Sequence, residues 1–156
     1  MGQAIYYDLI GQRRLTELYL REAIRTIERE GPSSELAEAC LNLGNSLLCH
    51  DPRASIEASQ RAFELAVETG STYLIGTTVA NLSFGHLQLD DWDPAEQVLH
   101  HPVLELVPDD VWIKATRAQL YALRGDLERA RLELARLSED FLTSEDPQDR
   151  SALAAA

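Results

Sequence analysis

Helical segments separated by recurring breaks limit what this sequence can fold into. Apolar residues follow steps of three and four through most of the chain, which is the spacing of an amphipathic helix. Asp51-Pro52 and Gly125-Asp126 interrupt that spacing, and residues of these types end one helix and cap the next. No segment alternates apolar and polar residues over more than a few positions, so the sequence predicts an all-α fold.

The breaks recur with small residues at matching positions. Asp91 and Asp126 are 35 positions apart, and the small residues Ser83 and Ala118 have the same separation, whereas Asp51 precedes Asp91 by 40 positions. Two antiparallel helices joined by a short turn approach closely only where their side chains are small. The predicted contact positions are Gly44, Ser83 and Ala118 in the first helices and Ala95 and Ala130 in the second.

The repeat has a recognisable length. It is carried by AEACLNLGNSL, VANLSFGHLQLDDWDPAEQVL and ATRAQLYALRGDLERARLELARL, and its spacing is similar to the roughly 34 residues of tetratricopeptide units. These segments resemble the helical repeat region of large LuxR-family, ATP-binding bacterial transcriptional regulators, in which a motif like Leu89–Glu96 is frequent. The resemblance implies a right-handed solenoid of antiparallel helix pairs. It also implies a larger parent protein with a nucleotide-binding module and a helix-turn-helix.

The predicted repeat domain covers residues 1–143, in units of about 1–31, 34–70, 72–107 and 109–142. Residues 144–156 are predicted to be a tail or the start of a truncated helix. Within the first unit, the apolar stripe expected to face inward consists of Leu15, Leu18, Tyr19, Ala23 and Ile27. Two positions depart from the family pattern, since Asp90 stands where glycine is usual and Arg117 where leucine is usual.

Charge and composition exclude several classes of function. The formal net charge is -12, and such a surface repels nucleic-acid phosphates, so we expect no direct nucleic-acid binding by this segment. No apolar run approaches the roughly 18 residues of a membrane span, and no signal peptide is evident, so we expect no membrane partner and a cytoplasmic location. No GxxxxGK[ST] loop, GxSxG element or nucleophile–base pair is found, so we expect neither an enzyme nor a cofactor.

Titratable clusters favour structural interpretations. His86, His100 and His101 could lie near each other, but adjacent histidines diverge on a helix, so no metal site is predicted. His86 is instead expected in the core. The acidic residues between positions 90 and 93 form a turn, where capping of the next helix is favoured over acid–base catalysis. Ser33 or Ser34, Asp51 and the aspartates of the later turns are the predicted N-caps.

Cysteines and tryptophans are expected to be packing residues. Cys40 and Cys49 are nine positions apart on one predicted helix, too far for a disulfide along that helix, and both are interpreted as small buried residues. Trp92 is predicted to wedge a turn between helices. Trp112 is predicted to pack between repeat units.

The candidate binding residues are amides on the first helix of each pair. Asn42 and Asn81 occupy equivalent positions, one before the leucine that precedes the small residue. In the peptide-binding repeats that this sequence resembles, asparagine at this position holds the ligand backbone, because an amide both donates and accepts. Asn45, Gln88 and Lys114 could add polar contacts on the same side. The alternative is that each asparagine merely ties adjacent helices together.

These features predict a protein- or peptide-binding module that acts as scaffold or ligand sensor within a bacterial transcriptional regulator. Two alternatives stay open. The repeats could be appended to a signalling enzyme, such as a nucleotide cyclase or kinase, outside this chain. They could also form a structural homodimerisation module, since the ends of a cut solenoid leave apolar faces uncovered.

Overall fold

The computed structural model describes residues 11–107 and 111–143, with side chains described through residue 137. This part of the chain contains seven α-helices and no strand. The helices are α1 Arg13–Ile27, α2 Ser34–Leu47, α3 Pro52–Thr69, α4 Thr72–Gln88, α5 Trp92–Leu99, α6 Val111–Leu123 and α7 Leu127–Thr143, with short 3-10 turns at Glu28–Glu30 and Pro102–Leu106. The predicted all-α class is confirmed. The start of the first predicted unit and the predicted tail lie outside the described residues.

The seven helices pack in a regular succession. Each of α1 to α6 contacts the helix that follows it, α2 also contacts α4, and α4 also contacts α6. The shared core contains buried residues from α1 to α6, among them Ile24, Leu43, Phe63, Leu99 and Leu120. Within the part of the chain that the structure describes, no helix is long and apolar enough to cross a bilayer.

Side-chain caps start three of these helices where the sequence predicts them. Ser33, Asp51 and Asp126 each accept a hydrogen bond of 3.1 Å from the backbone N–H three residues further on. Pro52 occupies the first turn of α3, where a missing N–H is harmless. The predictions for these three turns are therefore confirmed, and Ser33 rather than Ser34 is the cap of α2.

The turn before α5 does not follow that prediction. Asp91 occupies the N-cap position of α5, but its side chain makes no capping hydrogen bond. Its backbone φ is -85°, compared with -140° at the capping Asp51, and this difference directs the two carboxylates differently. Asp93 instead forms an ion pair with Arg124. The acidic turn thus contributes to packing between α5 and the end of α6, and the predicted capping by Asp91 is wrong.

Three helices end in the same left-handed turn. Gly70, Asp90 and Gly125 have φ values of 69°, 58° and 77°, and Asp90 is the one non-glycine residue with positive φ in the described chain. At all three turns, the backbone N–H of the next residue donates to a carbonyl five residues earlier, at 2.8 to 3.0 Å. Such turns satisfy the last carbonyls of a helix and favour glycine because a Cβ is crowded there.

Replacing Asp90 with glycine is therefore expected to stabilise the protein by about 1 kcal/mol, the lower end of the cost of the left-handed conformation for an L-residue. Asp90 is exposed, and its side chain makes no hydrogen bond to the described residues, so little is lost with it. The reciprocal change, Gly125→Asp, should cost a similar amount. Urea unfolding followed by circular dichroism measures both variants. A destabilised Asp90→Gly protein would contradict the interpretation.

Close contact between α2 and α3 occurs at Gly44. The Ser55 hydroxyl donates a 2.7 Å hydrogen bond to the Gly44 carbonyl, and a Cβ on Gly44 would lie 2.4 Å from Ser59 Oγ. Gly44 therefore faces its own partner helix, as the repeat predicts. A second close approach, not predicted, occurs at Gly85, where a Cβ would lie 2.9 Å from Ile56 Cγ1. The other predicted contact residues, Ser83, Ala95, Ala118 and Ala130, are all buried.

The inward face of α1 differs from the predicted stripe. Thr16, Leu20 and Ile24 are buried, whereas Leu18 is 61% exposed and Tyr19 is 36% exposed. Apolar residues cover a broad arc of this helix, and α1 contacts only part of that arc through α2. The hydrophobic period locates the helix correctly but does not determine which side of so broad an arc is covered.

One packing prediction is also wrong. Cys40 is buried, but Cys49 is exposed and lies in the turn after α2, which ends at Leu47. Trp112 is 39% exposed, and its packing between repeat units stays a prediction. Trp92 is half-buried at the start of α5 and packs against the core, which agrees with a wedge at that turn.

Candidate functional site

The outward face of α2 is polar. Glu38, Asn42, Asn45 and Cys49 follow one another at steps of four, three and four, so they share one side of the helix and its C-terminal extension. Asn42 is half-buried, whereas the other three are exposed. The two predicted amides of α2 are therefore side by side and accessible from solvent.

The outward face of α4 combines amides with aromatic rings. Tyr73, Thr77, Asn81, Phe84 and Gln88 are spaced by four, four, three and four residues and lie on one side of the helix. Tyr73 is 77% exposed. Thr77, Asn81 and Phe84 are half-buried, and Gln88 is exposed. Asn81 therefore stands between two aromatic residues on a face that carries no charged side chain.

The outward face of α6 continues this chemistry. Trp112, Gln119 and Leu123 are separated by seven and four residues and so share one side. Trp112 and Leu123 are exposed by 39% and 47%, respectively, and Gln119 is half-buried. We refer to the outward residues of the three helices as the amide–aromatic surface, which comprises Asn42, Asn45, Tyr73, Asn81, Phe84, Gln88, Trp112, Gln119 and Leu123.

Helix α4 lies between the other two helices of this surface. It contacts both α2 and α6, and its Gly85 approaches Leu48 at the end of α2. Four of the five predicted binding residues, Asn42, Asn45, Asn81 and Gln88, therefore occupy outward faces of neighbouring helices. The aromatic members were not predicted as binding residues, although Tyr73 falls at a step of four from Thr77 and eight from Asn81.

Lys114 lies on a different side of α6. It is half-buried and shares a face with Arg117 and Tyr121, at steps of three and four. The Tyr121 hydroxyl is 3.0 Å from His100 Nε2, so this side of α6 faces the end of α5. Lys114 therefore lies on the opposite side of α6 from the amide–aromatic surface.

Arg117 explains one departure from the repeat pattern. Its Nε and one terminal nitrogen donate hydrogen bonds of 3.1 and 2.6 Å to the carbonyl oxygen of Leu99. Leu99 is the last residue of α5, where carbonyls lack helical partners and a cation is favourable. The arginine therefore links α6 to the end of the short helix, a role that the leucine usual at this position could not perform.

The histidines have separate structural surroundings. Burial lowers the pKa of His86, and the charge of Asp91 opposes that effect. The His101 ring packs edge-on against Phe63 at 5.2 Å between centroids. Its Nδ1 also accepts a 3.2 Å hydrogen bond from the backbone N–H of Val103. No group of three or more His, Cys, Asp or Glu residues within the described ranges could hold a metal ion.

A groove of about 370 Å³ lies elsewhere, between α1 and α3 and above α2. It is lined by Arg21, Ile24, Arg25, Glu28, Cys40, Leu43, Leu47, Ala54, Glu57, Ala58 and Arg61. None of the five predicted binding residues is in this lining. Burial raises the pKa of the Cys40 thiol to about 11, so the cysteine is protonated at neutral pH and behaves as an apolar floor residue.

Comparisons with known proteins gave no match: no family model, no curated protein and no solved structure resembles this chain at a significant level. The fold and site define a seven-helix, all-α domain over the described residues. Its two candidate sites are the amide–aromatic surface and the groove beside α1.

Proposed function

We propose that this chain is a cytoplasmic protein- or peptide-binding helical repeat module, a tetratricopeptide-like right-handed solenoid. The observation that carries the proposal is the amide–aromatic surface, in which the half-buried Asn42 and Asn81 lie on the outward faces of two neighbouring helices, with aromatic rings on α4 and α6. The contacts of α4 with both α2 and α6 support a stack of helix pairs, because such stacks bring the first helices of successive pairs together.

The chemistry of this surface suits an extended peptide. An amide side chain donates to a peptide carbonyl and accepts from a peptide N–H, so one asparagine satisfies both groups. Asn42 and Asn81 are half-buried, which restricts their rotamers and reduces the entropy lost on binding. Tyr73 and Trp112 provide large, rigid contact areas of the type enriched at the centres of interfaces.

Charge further specifies the partner. The exposed Glu35 and Glu38 extend the outward face of α2, whereas the outward face of α4 is uncharged. A bound segment is therefore expected to present apolar side chains to α4 and α6 and basic side chains to α2. Such charge complementarity affects partner choice and association rate more than affinity.

The resemblance to LuxR-family regulators supports a more specific proposal for the parent protein. There the module acts as scaffold or ligand sensor, and it couples a protein partner to the rest of a bacterial transcriptional regulator. The absence of a nucleotide-binding loop and a basic recognition helix from this sequence is consistent with a module that works through its partners.

The double variant Asn42→Ala, Asn81→Ala tests the peptide proposal. Peptides selected from a random display library on the wild-type chain should bind the double variant about tenfold or more weakly. Two lost hydrogen bonds of about 1 kcal/mol each correspond to a factor of this size. Isothermal titration calorimetry measures the affinity, and circular dichroism checks that the fold is retained.

Gln60→Ala combined with Gln97→Ala is the matched control, because both glutamines are exposed amides on second helices. Its affinity should equal that of the wild type. Equal binding by the Asn42/Asn81 double variant would reject the asparagine contacts. Light scattering at several concentrations tests the homodimer alternative at the same time, and self-association that the selected peptides disrupt would favour that alternative.

A further inference from the structure

We propose that the groove between α1 and α3 is a second binding site, for a small amphipathic carboxylate with an anionic head and a single apolar chain. The site is distinct from the amide–aromatic surface. Its floor comes from Cys40, Leu43 and Leu47 of α2. These residues point almost opposite to Asn42 and Asn45, because successive residues turn by about 100° around a helix.

The shape of the groove suits a slender apolar chain. Its volume of about 370 Å³ is within the lower range of small-molecule sites. Ile24 contributes one apolar side, and the wall formed by α3 presents the small residues Ala54 and Ala58. Because these two α3 residues carry only a methyl group, the apolar part of the groove is open to an occupant.

The rim supplies charge of the right sign. The rim carries Arg21, Arg25 and Glu28 on the α1 side and Glu57 and Arg61 on the α3 side. Arg25 and Arg61 form ion pairs with glutamates, which leaves Arg21 as the rim's unpaired positive charge among the described residues, in a chain whose net charge is -12. A local cationic site in an otherwise acidic protein attracts an anion to that site. Guanidinium groups also match the planar geometry of a carboxylate.

Arg21 is the expected head-group ligand. Arg61 already forms an ion pair with Glu28, and Arg25 lies 3.3 Å from Glu22. Arg21 makes no ion pair or side-chain hydrogen bond within the described part of the chain, so it is available. Glu57 stands on the α3 wall, and its negative charge places the head group on the α1 side.

The occupant should bridge two helices. The groove is bounded by α1 on one side and α3 on the other, with α2 beneath. A ligand whose head contacts Arg21 and whose chain lies against Ala58 would touch both walls. Binding to the folded state alone raises stability by mass action, so the melting temperature should rise with ligand concentration.

Three probes that differ in the head group test the proposal on the whole chain: decanoate, decanol and decyltrimethylammonium. The two ions are used below their critical micelle concentrations, and decanol is used below its solubility limit. Calorimetry should show binding of decanoate, weaker binding of decanol by about tenfold or more, and the weakest binding of the ammonium. A charge-assisted hydrogen bond corresponds to a factor of about 10 to 100. Equal affinity for decanoate and decyltrimethylammonium would overturn the proposal.

Variants locate the site. Arg21→Gln should weaken decanoate binding about tenfold and leave decanol binding unchanged. Glu57→Gln should strengthen decanoate binding, because it removes the opposing charge. Arg53→Gln is the matched control, since Arg53 is an exposed arginine of α3 outside the lining, and it should bind like the wild type. Wild-type affinity in Arg21→Gln would place the anion elsewhere.

Filling the groove is the remaining test. Ala58→Leu should abolish binding of both decanoate and decanol, and Ala54→Val replaces it if circular dichroism shows that Ala58→Leu does not fold. The Asn42→Ala, Asn81→Ala variant should bind decanoate like the wild type, so failure of this site and failure of the peptide site are distinguishable. Unchanged decanoate binding in a folded, filled variant would reject the groove.

Discussion

An Ala95→Trp variant is expected to lose at least about 3 kcal/mol of unfolding free energy, the upper part of the range for an overpacked core. Ala95 lies on α5 with 0% of its surface exposed, and it belongs to the core that joins the central helices. An indole at this position has to push α5 away from its neighbours. Since domains are stable by only about 5–15 kcal/mol, such a loss removes a large fraction of the total.

Gln97→Trp is the matched control, because it places the same side chain on an exposed position of the same helix. Its melting temperature should stay within a degree or two of the wild type, whereas that of Ala95→Trp should fall by roughly 6–12 °C. Thermal unfolding followed by circular dichroism distinguishes the two. A wild-type melting temperature for Ala95→Trp would show that α5 does not pack closely at this residue.

Helix positions could be predicted from the sequence because their signals are local. The bounds of α6, Val111–Leu123, follow from an apolar period that Gly125 ends within two residues. Ser33 and Asp51 cap their helices through contacts that reach only three residues along the chain. These signals do not depend on the surrounding helices. The apolar period and the breaks are therefore sufficient to predict where a helix begins and ends.

Side-chain exposure could not be predicted as well, because it depends on which helices meet. Leu18 matches the apolar period of α1 but is 61% exposed, since α2 covers a different part of the arc. Asp91 occupies the N-cap position of α5, but its side chain makes no capping hydrogen bond. Both residues satisfy a local rule, and the packing of neighbouring helices determines the outcome.

The candidate site was partly accessible to sequence reasoning. Alignment of the repeats places Asn42 and Asn81 on equivalent faces, and both lie on outward sides of their helices. Lys114 does not fit the same alignment, because the 35-residue repeat relates Asn81 to Thr116 rather than to Lys114.

The groove beside α1 could not be predicted from the sequence. Arg61 and Glu28 form an ion pair at its rim although they are 33 positions apart in sequence. No repeat or motif in the sequence predicts that pair. Three helices have to be placed before the arginines and the apolar floor are seen as one site.

Gly44→Ala is expected to destabilise the protein by about 2 kcal/mol, even though alanine is the better helix former by about 1 kcal/mol. The new Cβ would lie 2.4 Å from Ser59 Oγ and 3.3 Å from two backbone atoms of α3. The hydrogen bond from Ser55 to the Gly44 carbonyl holds the two helices at this distance, so they cannot separate without losing it.

Removal of the obstructing hydroxyl should reverse the effect. Ser59 Oγ is buried and has no hydrogen-bond partner among the described residues, so Ser59→Ala alone should be neutral or slightly stabilising. In that background, Gly44→Ala should cost much less, because only the two 3.3 Å contacts with the α3 backbone remain, which gives a coupling energy of about 1–3 kcal/mol in a double-mutant cycle. Urea unfolding of the four proteins measures it.

Ser46→Ala provides the control background, because Ser46 Oγ is also buried and unpartnered among the described residues but lies on α2 itself. Gly44→Ala should keep its full cost there, since the Ser59 hydroxyl is still in place. If Ser46→Ala relieved the cost as well as Ser59→Ala, or if neither did, the contact between Gly44 and α3 would not be what fixes the spacing of these two helices. The small residues of the repeat would then need another explanation.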